Sequence, residues 1–470
     1  MKKKNKKKIL NCLLVSCIFS LIMITANIGA YAKEINYKNI DLVILFNDNN
    51  IDENVKDIIV NSGGKVIDEY PELGGIEVEC TSALIPKIKA EDSVQSLSPN
   101  HVIKISDEKS EDFVEVKDAF NTSIADLYEN YQWNIKRVTN NGKSYSLESG
   151  NHNVVIGIID SGIDQTHPDL VNNFLGGKNL VPAGFQGDLS EFGDLNDVTD
   201  RLGHGTNVAG IIAANGRTKG IAPNIGIKSY RIFNKGGETT ASICSSAIIA
   251  ATKDGVKVIN LSLGVYELKG KCYWVDPNTG IENYIGDDMA EYSLYKRAIK
   301  YAIENGVTVV SAAGNEGQDC SNKKELTSYL NYLYGDYGFK YVGLTYEVPG
   351  TIKGVITVSS TNRNDTLSSY SNYGEDFIDI SAPGGDLSDT ATIDDLCLTT
   401  AINSQYSFSA GTSIAAPEVS AIAALIISKN GCLTPKEVAK KIYKTADKIS
   451  GINSSQYYGA GICNAYKALQ

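Results

Sequence analysis

The sequence predicts an α/β protein, a parallel sheet between two helix layers, with a small α+β unit in front of it. Three observations carry this reading. Apolar runs at 154–159 (VVIGII), 256–263, 307–313 and 355–359 are continuous rather than alternating, as in strands buried on both faces. They alternate with helical stretches at 204–214, 241–253, 293–305 and 413–429, the rhythm of repeated βαβ units. Residues 40–105 have a separate rhythm. A strand at 40–46 precedes a short helix at 52–60 and a Gly63-Gly64 break. Strands at 65–68 and 75–80, a helix at 82–90 and a last strand within 94–105 follow. That βαββαβ order is the ferredoxin-like one.

The rest of the chain divides around these elements. Six lysines at positions 2, 3, 4, 6, 7 and 8 precede an apolar run to about residue 28 and Ala30-Tyr31-Ala32, an export signal with a small-residue cleavage site. The competing reading is an uncleaved anchor, because the run nearly reaches spanning length. Leu14-Val15-Ser16-Cys17 resembles a lipid-attachment site, but apolar sequence continues directly after it. The expected boundaries are 1–32 for the signal, 33–130 for the accessory unit and its acidic linker, and 131–470 for the main domain. The mature form is then secreted and extracellular, and does not span a membrane. Residues 266–292 and 317–350, rich in Tyr, Asn and Gly, read as long surface insertions.

A hydrophobic fraction of 42% with 21% charged residues is ordinary for a globular protein. The net charge is −11, and residues 1–32 contribute only positive charge, so the mature chain is more acidic still. This argues against a nucleic-acid partner and favours a basic substrate. Nine cysteines occur without any C-x-x-C pair, which leaves zinc and redox motifs unsupported. Cys272 with Cys320 is one candidate disulfide, and buried free thiols are the equal alternative.

Four residues carry candidate chemistry. Asp160 ends the first buried strand, where open α/β sheets form their ligand crevice, and could orient a histidine. His204, one of four histidines, sits in Gly-His-Gly-Thr at a helix start. Ser413 lies in Gly-Thr-Ser before a long helix whose N-terminal amides favour a developing anion. Asn315, in AAGNEG, could donate a side-chain hydrogen bond to the same anion. Each alone reads better as a turn or helix cap. Together, in the order Asp, His, Ser, and all at strand ends or helix starts, they read as a nucleophilic serine site.

With these blocks in view, the chain resembles the subtilisin family of serine peptidases over about residues 131–470. IIDSGIDQTHPDL (158–170), GHGTNVAGIIAA (203–214), AAGNEG (312–317) and GTSIAAPEVSA (411–421) match its signatures. Ile414 stands where the family often has Met. The resemblance implies a three-layer subtilisin-like fold and a catalytic set of Asp160, His204, Ser413 and Asn315. It also implies a peptide substrate held between Ser262-Leu263-Gly264 and Lys235-Gly236-Gly237 by strand addition, and an inhibitory propeptide in residues 33–130. The family often carries structural Ca²⁺; no acidic loop here identifies a site, and no cofactor is required. Stretches 132–162, 347–363 and 458–469 are similar to leader peptidases of lantibiotic biosynthesis, which implies a lantibiotic precursor as substrate. Those relatives cut after arginine, and Glu316, Asp319 and Asp386 are the candidate acids for that pocket. A general degradative subtilase and an inactive peptide-binding relative are the alternatives.

Overall fold

The computed structural model describes residues 39–105, 127–275, 280–287, 290–335, 338–451 and 454–470. The expected export signal, with Cys12 and Cys17, and the linker as far as residue 126 lie outside the described residues.

The N-terminal unit has the predicted order: β1 (Asn39–Phe46), α1 (Glu53–Asn61), β2 (Lys65–Tyr70), β3 (Gly75–Thr81), α2 (Ile85–Lys89) and β4 (Val94–Pro99). Its sheet runs β2-β3-β1-β4, the ferredoxin-like arrangement. The continuous apolar run of β1 has a physical cause. Leu42, Ile44 and Phe46 face the unit's own helices, while Val43 and Leu45 face the main domain. Both sides of this strand are therefore dry. The expected last strand, 94–105, is two strands. After β4 the chain turns away, and β5 (Val102–Lys104) leaves the unit to pair elsewhere.

In the main domain, α3 (Leu127–Tyr131) and α4 (Trp133–Thr139) come first, and Tyr128 already packs in the main core, a few residues before the expected boundary. Seven parallel strands follow in chain order: β6 (Val155–Asp160), β7 (Phe174–Asn179), β8 (Gly226–Arg231), β10 (Val258–Leu261), β13 (Thr308–Ala312), β15 (Val355–Thr361) and β16 (Ile380–Pro383). They are arranged β16-β15-β13-β10-β6-β8-β7. The edge strand β9 (Glu238–Thr240) stands apart. Ile156 and Ile158 of β6 pack with α5 (His204–Ala213) and α9 (Thr412–Asn430). Ile159 packs on the other face, with α6 (Ala241–Lys253) and α7 (Ala290–Glu304). Helix α9 is apolar enough to cross a membrane, yet it is buried from Thr412 to Ile427 as the central helix of the core.

The two long insertions, expected at the surface, carry regular structure of their own. They form an antiparallel sheet, β12-β11-β14, from β11 (Val265–Val275), β12 (Glu282–Asp287) and β14 (Phe339–Val348), with α8 (Lys323–Tyr334) before β14. Leu268, Cys272, Trp274, Ile285 and Tyr341 pack into one cluster with Leu42, Ile44 and Phe46 of the N-terminal unit. Buried area against a second unit, absent from any local pattern, makes these strands. Cys272 belongs to that cluster and Cys320 to another, with Leu326 and Phe377, so the candidate disulfide is replaced by two buried free thiols. Burial pushes both thiols well above the ordinary range, which leaves them inert.

The N-terminal unit is held to the main domain by charge as well as by apolar area. Ser242 Oγ, in the first turn of α6, donates to Glu77 (3.0 Å), two residues past the Thr240 side chain that caps that helix. Arg297 donates to the Phe46 carbonyl (2.7 Å). His101 is clamped by Glu291 through its backbone N–H and Nδ1, both at 2.7 Å, and its Nε2 lies 2.5 Å from Tyr341 Oη.

Candidate active site

Asp160 is the last residue of β6, and His204 is the first of α5. The His204 Nδ1–Asp160 Oδ1 distance is 2.7 Å, with Asp160 only 2% exposed. The close approach depends on Gly205: a Cβ there would fall 2.1 Å from the Gly162 carbonyl. Ser161 N donates to the same Asp160 oxygen (2.7 Å), so the carboxylate is held on two sides.

A residue the sequence reading passed over organises this corner. Asp200 is buried and accepts from Ser161 Oγ, the amides of Leu202, Gly203 and Thr206, and Thr206 Oγ1, at 2.6–3.0 Å. These bonds fix the loop that presents His204. Ser161 Oγ in turn accepts from the Gly205 N–H (2.8 Å). The available signal was an acid three residues before a Gly-His-Gly, a spacing too common to single out.

Ser413 lies in the first turn of α9 and is 3% exposed. Pro417 sits four residues on and has no N–H, so it cannot close the helical bond to the Ser413 carbonyl. Ser262 Oγ donates to that carbonyl instead, at 2.8 Å. Ser262 is itself placed by Asn260 Nδ2 (2.9 Å), and Asn260 Oδ1 accepts from Ser420 Oγ of α9 (2.7 Å). Because Leu261 is in register with Ile159, Ser262 lies beside Asp160 at the same sheet edge. Ser262 thus anchors the serine turn, in addition to standing in the segment expected to meet substrate.

Asn315 follows β13 on a left-handed Gly314 (φ 98°). Its Oδ1 accepts from Thr412 N (2.8 Å) and Thr412 Oγ1 (2.9 Å), which fixes the amide and turns its NH₂ end away from Thr412. The asparagine is therefore tied to the residue next to Ser413. Leu263 and Gly264 continue outward from β10 beside the 312–316 segment, and Ser311 Oγ reaches the Leu263 carbonyl (3.4 Å).

Across the cleft, the edge strand β9 pairs antiparallel with β5 of the N-terminal unit, Val102 to Thr240 and Lys104 to Glu238. Gly237 accepts from the Ile105 N–H at 2.8 Å, while Gly236 stands in the adjoining turn. The segment expected to grip an extended peptide is thus engaged by an extended stretch of the chain itself.

The three candidate acids separate. Glu316 is exposed and accepts from Tyr266 Oη and Asn372 Nδ2, each at 2.8 Å. Asp319 caps its own turn through Ser321. Asp386 is consumed by Ser369, Leu387 and Asn362, whose hydrogen bonds hold its carboxyl below the ordinary range against the cost of burial. Only Glu316 of the three adjoins Asn315. Among the described residues no group of three or more His, Cys, Asp or Glu side chains is arranged to hold a metal.

The subtilase family model matches residues 151–461. The chain is 36% identical to the nisin leader peptide-processing serine protease of Lactococcus lactis subsp. lactis over 353 residues, 72% of this chain and 49% of that protein. It therefore spans about half the length of that relative. It is 34% identical over 366 residues to the epidermin leader peptide-processing serine protease of Staphylococcus epidermidis, 73% of this chain and 75% of that one. The crystal structure of the epidermin leader peptide processing serine protease from Staphylococcus aureus superposes with a TM-score of 0.75 at 30% identity, covering 92% of this chain and 98% of that one. The nisin leader peptidase structure from Lactococcus lactis gives 0.63 at 32% identity, over 74% and 95%. With the ordered Asp, His and Ser blocks on the strand and helix ends described above, the chain belongs to the subtilase family of serine peptidases.

Proposed function

We propose that the chain is a secreted endopeptidase that removes the leader of a lantibiotic precursor, with Asp160, His204, Ser413 and Asn315 as its catalytic residues. The observation that carries the chemistry is the 2.7 Å His204–Asp160 contact, beside a serine turn that Ser262 and Asn315 hold from two sides. Asp160 fixes the histidine tautomer with the proton on Nδ1, leaving Nε2 as the base. Ser413 Oγ attacks the peptide carbonyl carbon and gives its proton to His204. The negative oxygen that forms accepts from Asn315 Nδ2 and the Ser413 N–H. His204 then protonates the leaving amine, and water resolves the acyl-enzyme by the reverse sequence of transfers. No metal or cofactor is needed for these steps.

The substrate reading is supported by the two leader-processing relatives and by the acidic charge of the chain. Residues 33–130 act in this reading as an inhibitory propeptide. The pairing of β5 with β9 and the Ile105–Gly237 bond support it, because they occupy a substrate-binding edge.

Two measurements test the proposal. A serine-directed phosphonate should label Ser413 in the processed protein, and cleavage of a lantibiotic precursor should stop at the leader–core junction. Equal turnover of casein would turn the reading to a general degradative subtilase. Failure to label would turn it to an inactive peptide binder.

A further inference from the structure

Residues 429–470 carry seven lysines against two acids, Glu437 and Asp447, in a chain whose net charge is −11. Three of these lysines fall in one line. In α10 (Pro435–Thr445), Val438 and Ile442 are buried and set the inward face. Lys436, Lys440 and Lys444, four residues apart, are then on the outward face, and all three are exposed. At 1.5 Å of rise per residue, the row places a positive charge about every 6 Å. Helix α9 carries the chain about 25 Å from Ser413 before α10 begins, so the row starts far from the catalytic serine.

Helix stability does not account for this row. Like charges four residues apart repel, and Lys436 stands in the first turn, where the helix dipole disfavours a cation. Lys444 alone suits its place, in the last turn. Glu437, the one acid of α10, is used in capping: it accepts from Thr434 N (2.9 Å) and Thr434 Oγ1 (2.7 Å). Among the described residues none of the three lysines forms an ion pair. Two residues past the end of α10, Asp447 stands in the wall of an open cavity of ≈ 660 Å³, with Trp133, Lys136, Arg137, Arg363 and Lys467. Lys136 is answered by Glu129, Arg137 by Asp365 and Asp447, and Lys467 by Asp447. Arg363 is exposed and, among the described residues, bonds only the Asp394 carbonyl (3.2 Å). No large apolar or aromatic side chain is exposed among the described residues of 394–470.

We propose that the outward face of α10, with Arg363 at the cavity beyond it, binds a linear polymer of phosphate groups. Three point charges in a row suit anions repeated along a chain, and the planar guanidinium suits a pair of phosphate oxygens. With no apolar side chain to insert, the face meets a hydrated polyanion rather than the interior of a lipid layer. With no exposed ring to stack a base, it reads phosphates and not nucleobases. The local excess of lysine lets an otherwise acidic protein approach such a polymer in one orientation.

The test titrates long-chain inorganic polyphosphate into the protein at salt concentrations from about 50 to 200 mM. The logarithm of the association constant should fall linearly with the logarithm of salt. Joint replacement Lys436→Gln, Lys440→Gln and Lys444→Gln should weaken binding about tenfold or more. It should also flatten the salt slope by about 2, since each neutralised phosphate contributes about 0.7 on a single strand. Arg363→Gln, a lone exposed charge, should weaken binding about threefold. Removing the same charge elsewhere, at the exposed Lys257, Lys296 and Lys324, should change neither quantity. An equal loss in that control would reduce the effect to net charge and overturn the proposal. So would no binding by the parent protein, polyglutamate bound as tightly as polyphosphate, or anionic lipid vesicles bound more tightly. Thermal melts report that each variant is folded. If the triple variant melts lower than the parent, Lys440→Gln alone decides: its slope should flatten by about 0.7, and an unchanged slope overturns the proposal.

Discussion

Asp160 and Glu347 are two buried carboxylates treated in opposite ways. Asp160 is bonded by Ser161 N and faces His204 Nδ1, each at 2.7 Å, so its charge is answered inside the protein. Glu347 has no donor of normal geometry and a second acid for a neighbour. An answered carboxylate holds its partner in place whatever the substrate. An unanswered one leaves its interaction free energy to be supplied by a ligand, and so discriminates between ligands.

This contrast can be broken by experiment. The largest effect should come from Asp160→Asn, which reverses the tautomer preference of His204. Turnover should fall about 10⁴-fold on basic and neutral peptides alike, and a loss confined to one substrate class would contradict the role. Next is Asn315→Ala, for which steady-state kinetics should give a kcat loss of about 10²–10³ with KM little changed. That magnitude is the one measured for the oxyanion asparagine of subtilisin itself.

Ser262→Ala is a smaller perturbation of the same turn. It removes the hydroxyl that bonds the Ser413 carbonyl, a donor Pro417 cannot replace, at a cost of about 1–3 kcal/mol. Thermal melts should report the loss, and Ser262→Thr, which keeps the hydroxyl, should restore most of it.

The smallest effect sharpens the comparison from the other side. The folded-state pKa of Glu347 is raised, so folded protein keeps a proton that the unfolded chain releases above about pH 4.3. Its contribution is intact below that pH and is lost as pH rises toward the folded value. Glu347→Gln should therefore melt with the parent protein at pH 4 and about 2 °C or more above it at pH 8. A parent protein that melts higher at pH 8 would mean that Glu347 already has a partner.

Much of this was legible beforehand, for identifiable reasons. The strands of the parallel sheet are dry on both faces, so their apolar runs announce themselves without knowledge of their neighbours. The βαββαβ unit reads equally well, because its helices and turns are local. Asp160, His204, Asn315 and Ser413 fall where those elements end, and their order along the chain matches one known arrangement.

Residues whose role depends on distant partners were not legible. Asp200 matters because five donors converge on it, and Ser262 because Pro417 leaves a carbonyl open 151 residues away in sequence. Glu347 was not singled out beside Glu316, Asp319 and Asp386, although Asp319 only caps its own turn and Asp386 is taken up by Ser369, Leu387 and Asn362. Its burial arises from β11 pairing with β14 across a long separation, within segments whose Tyr and Gly content reads as loop. The sequence by itself determined the family, the layered fold and the candidate reactive side chains, since each is written in local periodicity or in short contiguous blocks. The tertiary structure alone decided which acids are answered and which are left waiting, because desolvation and hydrogen-bond satisfaction belong to the space around a group and not to its neighbours in the chain.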